Sequence, residues 1–238
     1  MDWLGEVWAR VLPEQVVALS GAPVVAVLVA ALVAVAVEPL WRVLRLGVTL
    51  VHELGHASVG ILAGRRFTGF VLRGDMSGHA VTVGPARGLG RVLTTWAGYP
   101  APAVVGAAAV WLAVRGWSAP VLTVVLAVLV VAALRARSAL TGAVVAVAVL
   151  GAGALWWAGD ARLQAQVVVA AGVVLLVGAW RHLAAVLTTP DAGTSDPGVL
   201  ARLTRVPRAV WNATFVLVLA GASWVAGSTV LDASGILA

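Results

Sequence analysis

Long apolar runs, separated by short polar or arginine-bearing segments, dominate the sequence. A helix needs about 20 mostly apolar residues to cross a bilayer. The pattern therefore predicts an all-α polytopic membrane protein with about seven transmembrane helices, in which residues 1–238 form a single membrane-embedded domain. The predicted spans cover approximately residues 22–37, 46–63, 92–114, 119–134, 139–158, 164–184 and 210–231.

Three segments differ from these spans. Residues 1–20 carry apolar side chains at helical spacing, which predicts an interfacial helix. Residues 65–91 have β-branched and aromatic residues on both sides of a turn-rich centre. This pattern predicts a β-hairpin after the second span, lying at the interface or re-entering the membrane. Residues 188–208 are more polar and are predicted to form a loop on the cytoplasmic side.

Composition supports the membrane assignment and limits the chemistry. Hydrophobic residues make up 61% of the chain and charged residues 11%, whereas soluble domains have roughly 25% charged residues. The sequence contains no cysteine, so any metal must be bound by histidine and carboxylate side chains. The first residues lack a basic region, so we expect an uncleaved anchor and no cleaved signal peptide.

All 16 basic residues are arginines. They lie at the ends of apolar runs and form no cluster with stacking aromatic residues, so we expect the lipid bilayer, and no nucleic acid, as their partner. Alternating seven spans place twelve arginines on the side of the N-terminus and four on the other. This bias predicts a cytoplasmic N-terminus and a C-terminus outside.

The second predicted span contains the motif His52-Glu53-Leu54-Gly55-His56. Residues four apart share one face of a helix, so the two imidazoles can bind one zinc ion and Glu53 can act as general base on water. A charged group deep in a bilayer costs about 2.5–3.5 kcal/mol even on lenient scales. An acid between two histidines at that depth therefore indicates a metal site with a chemical role.

A zinc hydrolase usually supplies three protein ligands. The first candidate for the third ligand is Asp196, with Asp191 in reserve, and His79 and His182 are further candidates. Asp196 precedes Pro197 and could instead serve only as a helix N-cap. Two other polar residues have simpler interpretations: Asp75 as a hairpin-turn residue and Asn212 as a partner in a helix–helix hydrogen bond, with oxyanion stabilisation as the alternative for Asn212.

These motifs resemble the site-2 protease family of intramembrane zinc metalloproteases, especially its compact bacterial B-like branch. The resemblance rests on residues 52–57, on Gly64-Arg65-Arg66 and the hairpin, on Gly98-Tyr99-Pro100, and on Ser195-Asp196. It implies that His52, His56 and Asp196 bind Zn²⁺, that Glu53 activates water, and that the protein lies in a bacterial-type cytoplasmic membrane. The sequence departs from the family where Leu187 replaces the Asn of an Asn-x-x-Pro motif and where Pro197, not Gly, follows Asp196.

The expected function is therefore that of an intramembrane zinc endopeptidase. Its expected partner is a membrane protein or peptide substrate, cleaved in a transmembrane or membrane-proximal segment. The edge of the hairpin would hold that segment in an extended form. The alternatives are a catalytically inactive metal-binding scaffold and a small transporter. A transporter typically shows internal repeats with broken helices in both halves, and the sequence shows no convincing repeat.

Overall fold

The computed structural model describes residues 3–13, 22–188 and 193–234, and it is mostly helical. A hairpin of strands β1 (Arg66–Leu72) and β2 (Gly78–Val83) lies between the third and fourth helices. The expected helical fold with a small hairpin is confirmed. The helices are α1 (Trp3–Ala9), α2 (Ala22–Ala36), α3 (Glu38–Leu62), α4 (Leu89–Trp96), α5 (Pro100–Val114), α6 (Ser118–Ala133), α7 (Ala139–Ala158), α8 (Ala161–Thr188), α9 (Asp196–Thr204) and α10 (Arg208–Ser234).

Several helices of this fold have the length and apolar composition of membrane spans. Within the described ranges, α7, α8 and α10 are long and apolar enough to cross a bilayer. Two bent pairs, α2 with α3 and α4 with α5, raise the number to five if each pair counts as one span, and α6 is a shorter apolar helix. Every predicted span coincides with a helix or a bent pair, but the number of seven spans stays a prediction.

Both bends occur where a proline lies at the first or second position of the next helix. The chain turns by 96° between α2 and α3, next to Pro39, and by 60° between α4 and α5, next to Pro100. Proline has no backbone N–H, so it removes a hydrogen bond that a continuous helix would make to the preceding turn. The predicted span over residues 92–114 is therefore a bent pair of helices, and the break brings the backbone of Ala97 and Gly98 against α3.

Helix α5 packs against α8 and α10 to form the largest buried core. Gly106 and Gly172 lie at the crossing of α5 and α8, where a Cβ on Gly106 would lie 2.5 Å from the Gly172 carbonyl oxygen. Small residues at such a crossing let two membrane helices approach closely. The remaining buried side chains of this core include Ala103, Ala107, Val110, Ala179, Leu183, Leu200, Phe215 and Leu219.

Helix α3 also packs closely on the bent pair α4 and α5. A Cβ on Gly55 would lie 2.4 Å from the Ala101 Cβ and 2.9 Å from the Ala97 carbonyl oxygen. The glycine inside the histidine motif therefore permits the contact that positions this face of α3.

We expect Gly55→Ala to lower the free energy of unfolding by about 1–3 kcal/mol, because the added methyl group meets backbone atoms that cannot move aside easily. The measurement is thermal unfolding in detergent. Gly47→Ala is the matched control, since a Cβ on Gly47 of the same helix has no neighbour within 4 Å. Equal midpoints for Gly55→Ala and the control would contradict the packing argument.

The hairpin has one covered edge and one open edge. Strands β1 and β2 pair antiparallel, with Phe70 opposite Ala80. On the other side of β1, Phe70 N donates to the Arg135 carbonyl oxygen, and Arg137 N donates to the Phe70 carbonyl oxygen, both at 3.1 Å. Strand β2 has β1 as its one strand partner within the described ranges, so no strand covers its outer edge there, while the Thr82 carbonyl oxygen accepts a hydrogen bond of 3.3 Å from Arg65 Nη2.

Candidate metal centre

One face of α3 supplies the two histidines. His52 and His56 are one helical turn apart, and their rings meet edge to face with centroids 4.8 Å apart. Glu53 is only 4% exposed and lies beside the first histidine. The helical period thus directs both imidazoles into one cavity, which Glu53, about 100° further round the helix, also lines.

Helix α9 brings Asp196 to this face. Ser195 is the N-cap, since its Oγ accepts a hydrogen bond of 3.3 Å from Gly198 N, and Asp196 is the first helical residue. The alternative in which Asp196 serves only as the N-cap is therefore wrong. Leu200, which is fully buried, holds α9 against the core. Asp196 is left with its side chain directed at the imidazoles.

The three side chains converge on one point. His52 Nε2 and His56 Nε2 are 3.1 Å apart, and each lies 3.2 Å from Asp196 Oδ2. Ligand atoms about 2.0 Å from a tetrahedral zinc ion are about 3.3 Å from one another. The donor atoms therefore already have the spacing of three ligands to a shared ion, and within the described ranges they are the one converging group of this kind.

The surroundings keep these donor atoms available. His56 Nδ1 donates to the Thr94 carbonyl oxygen at 2.7 Å, a contact that leaves Nε2 of the neutral ring with a free lone pair. A metal ion would take the place of the Nε2 protons of the metal-free imidazoles. In the metal-free site, burial by itself would raise the pKa of the Asp196 carboxyl, but the positive charge of His56 and hydrogen bonds from both imidazoles hold that pKa below its ordinary value. Asp196 is thus a carboxylate, the form that binds metal.

The break between α4 and α5 leaves room at the centre. A Cβ on Gly98 would lie 2.4 Å from His56 Nε2 and 2.6 Å from His52 Nε2. The backbone can approach the two nitrogen atoms this closely only because residue 98 has no side chain. The spacing of the three donor atoms fits a shared ion, and the nitrogen and oxygen donor set suits zinc.

The start of β2 positions Glu53. A Cβ on Gly78 would lie 2.5 Å from Glu53 Oε1, so the strand backbone lies directly against the carboxylate. One turn earlier on α3, Thr49 Oγ1 donates to the Met76 carbonyl oxygen at 3.0 Å. This hydrogen bond fixes the hairpin turn to α3 and with it the strand that borders Glu53.

These elements enclose a cavity of about 480 Å³. Helices α3, α4, α8 and α9 and the strand β2 contribute to its wall. Two of its polar residues, Thr49 and Thr94, were not predicted from the sequence, because threonines at these positions carry no motif. The cavity is large enough for a few residues of an extended peptide beside the converging ligands.

The other polar residues singled out in the sequence lie outside the group formed by His52, His56 and Asp196, or outside the described residues. His79 and His182 line the cavity but lie outside the converging group, and the His182 ring centroid is 6.5 Å from that of His52. Asp191 lies outside the described residues. Asn212 lies on α10 with its Oδ1 buried and without a hydrogen-bond partner among the described residues.

Asp75 has the turn role expected from its position. It is exposed, and its Oδ1 accepts hydrogen bonds from Ser77 Oγ at 2.6 Å and from Ser77 N at 3.0 Å. These hydrogen bonds lower the pKa of the Asp75 carboxyl. The residue stabilises the hairpin turn and does not face the histidine pair.

Comparison with known proteins agrees with the geometry. The sequence matches the family described as Peptidase M50B-like over residues 25–226, which includes both histidines, Glu53 and Asp196. No curated protein and no solved structure matches the sequence. The match covers most of the chain and confirms the expected relationship to the site-2 proteases. The chain belongs to the Peptidase M50B-like family.

Proposed function

We propose that this protein is an intramembrane zinc endopeptidase that cleaves a transmembrane or membrane-proximal segment of another membrane protein. The observation that supports it most is the convergence of His52, His56 and Asp196, beside Glu53, in a cavity between apolar helices. Membership of a peptidase family with metal-dependent members points to the same class of reaction.

The three ligands would be His52 Nε2, His56 Nε2 and Asp196 Oδ2. When bound, zinc lowers the pKa of water towards about 7 and polarises a carbonyl group. Glu53 then has the role of accepting a proton from the attacking water and delivering it to the leaving amine. Its low exposure and its place against Gly78 keep the carboxylate in one position for both transfers.

A substrate helix must lose its internal hydrogen bonds before its peptide bond can be attacked. The outer edge of β2 has no strand partner within the described ranges, although the Thr82 carbonyl oxygen accepts a hydrogen bond from Arg65, and residues 78–80 and 82 contribute to the cavity wall. An extended substrate segment could pair with this edge, which would replace the hydrogen bonds lost on unwinding. This arrangement would hold the scissile bond near Glu53.

The proposed topology has seven spans, a cytoplasmic N-terminus and a C-terminus outside, in a bacterial-type cytoplasmic membrane. The arginine distribution favours it, with twelve of 16 arginines on the side of the N-terminus. One pair of contacts opposes the strict alternation: Arg42 and Arg181, which it assigns to opposite sides, both pair with Glu38. In this topology the hairpin and α9 reach the metal centre from the cytoplasmic side.

Substitution Glu53→Gln tests the proposed function. We expect it to retain zinc and to lower the rate of cleavage by about a hundredfold or more, because the amide cannot accept the proton. The measurement combines metal analysis of purified protein with mass spectrometry of a panel of synthetic transmembrane peptides.

Glu38→Gln is the matched control, because Glu38 is an exposed acid on the same helix. Glu38 pairs with Arg42 and Arg181. It should cleave the peptides at the unsubstituted rate. Cleavage by Glu53→Gln at that rate would refute the role of Glu53. Zinc binding without cleavage by the unsubstituted protein would favour the metal-binding scaffold instead.

A further inference from the structure

Arg45 is an unpaired cation on the cavity face of α3. Its Nε is buried and has no hydrogen-bond partner, and the described part of the chain offers its guanidinium no carboxylate within 4.0 Å. It nevertheless lines the cavity. An unpaired charge inside a membrane protein is costly and indicates a functional partner.

The nearby acid is already engaged. Glu38 pairs with Arg42 at 3.4 Å and with Arg181 at 3.5 Å. The Arg181 guanidinium also lies over the Trp41 ring, 4.4 Å from its centroid. Of the three arginines at this end of α3 and α8, Arg45 is the one that faces the cavity, where the two carboxylates are those of Glu53 and Asp196.

A second unpartnered polar atom lies on the opposite wall. His182 Nε2 on α8 is buried without a hydrogen-bond partner, and its ring contacts Trp41 edge to face with centroids 6.0 Å apart. A buried imidazole nitrogen normally finds a partner. Arg45 and His182 therefore line one cavity with unused hydrogen-bonding capacity.

Their location relates them to the proposed cleavage point. Arg45, Thr49, His52 and His56 follow one another along the same face of α3, and Arg45 precedes His52 by about 10 Å along the helix axis. The His182 ring lies 6.5 Å from the His52 ring. A group held by Arg45 and His182 would thus belong to a residue a few positions from the scissile bond.

We propose that Arg45 and His182 form a carboxylate-binding subsite, which takes an aspartate or glutamate side chain of the substrate near the scissile bond. The inference rests on the proposed function, since it concerns the same cavity. A carboxylate fits best because it supplies the charge that Arg45 lacks and accepts hydrogen bonds from both side chains. An acidic residue in a membrane segment is rare, so this subsite would select few substrates.

Peptide binding to the Glu53→Gln protein tests the subsite without cleavage. The probes are two series of fluorescein-labelled transmembrane peptides that share one sequence. In the first series a single Asp is moved one residue at a time along the central part of the peptide. The matched series carries Asn at the same positions. We expect the Asp peptide to bind about tenfold more tightly than its Asn counterpart at one or two adjacent positions, as measured by fluorescence anisotropy in detergent.

Substitution Arg45→Gln should remove this preference, His182→Asn should reduce it, and Arg45→Lys should retain part of it. Arg42→Gln, which changes an exposed arginine of the same helix, should leave it unchanged. Equal binding of Asp and Asn peptides at every position, a preference that persists in Arg45→Gln, or the absence of any peptide binding would overturn the proposal.

The two proposals can fail separately. Normal zinc content and cleavage with no Asp preference would overturn the subsite and leave the endopeptidase intact. An Asp preference that depends on Arg45, in a protein that binds zinc and cleaves no peptide, would overturn the endopeptidase and leave the subsite.

Discussion

Substitution Asp196→Ala is expected to weaken zinc binding by about a thousandfold or more and to abolish cleavage with it. The change removes one of three protein ligands and the negative charge that offsets the ion. It also leaves His52 Nε2 and His56 Nε2 3.1 Å apart with no carboxylate beside them. The measurement is the zinc dissociation constant of purified protein, determined by competition with a chelator.

Two other aspartates supply the controls. Asp75→Ala removes an exposed turn residue and should leave zinc affinity unchanged. Asp191→Ala tests the reserve ligand, which lies outside the described residues, and should also leave it unchanged. Loss of zinc in Asp191→Ala together with retention in Asp196→Ala would show that the wrong aspartate was assigned.

The helices and the histidine face were predictable because they depend on short-range periodicity. A run such as residues 139–158 is apolar throughout, and α7 covers those same residues. The spacing of His52 and His56 fixes their common face on any helix. No tertiary information is needed for either inference.

The convergence of Asp196 on the two histidines could be only partly inferred from sequence. Asp196 followed by Pro197 fits a helix start, and the sequence does not say whether its side chain or that of Ser195 caps the helix. The structure assigns the cap to Ser195. Packing of Leu200 against the core then decides where the first turn of α9 points, and that packing joins segments far apart in the chain.

The bends and the polar cavity wall were harder to predict. The span predicted over residues 92–114 is two helices at 60° in the structure. Arg45 was interpreted as a topology residue at the end of a span, but α3 begins earlier, at Glu38, and contains it. The seven-residue spacing from Arg45 to His52 was the available signal, since it places both on one helix face.

Substitution Gly98→Ala is the second large effect we expect. The added Cβ would lie 2.4 Å from His56 Nε2 and 2.6 Å from His52 Nε2, within the space where these atoms would meet the ion. Imidazole rings can rotate away at modest cost, so the protein should still fold, but both ligands would be displaced. We expect zinc affinity to fall by about ten- to a hundredfold, the effect typical of changes that disturb the orientation of metal ligands.

The backbone should tolerate the change, because Gly98 is not among the residues with a positive φ. This separates Gly98→Ala from Gly55→Ala, whose methyl group meets the Ala97 backbone and should lower stability. Gly142→Ala, where a Cβ has no neighbour within 4 Å, is the control for both. Thermal unfolding of the zinc-free proteins should give similar midpoints for Gly98→Ala and Gly142→Ala, while chelator competition should show zinc loss only in Gly98→Ala. Unchanged zinc affinity in Gly98→Ala would mean that the ion, if bound, does not lie between the two imidazoles.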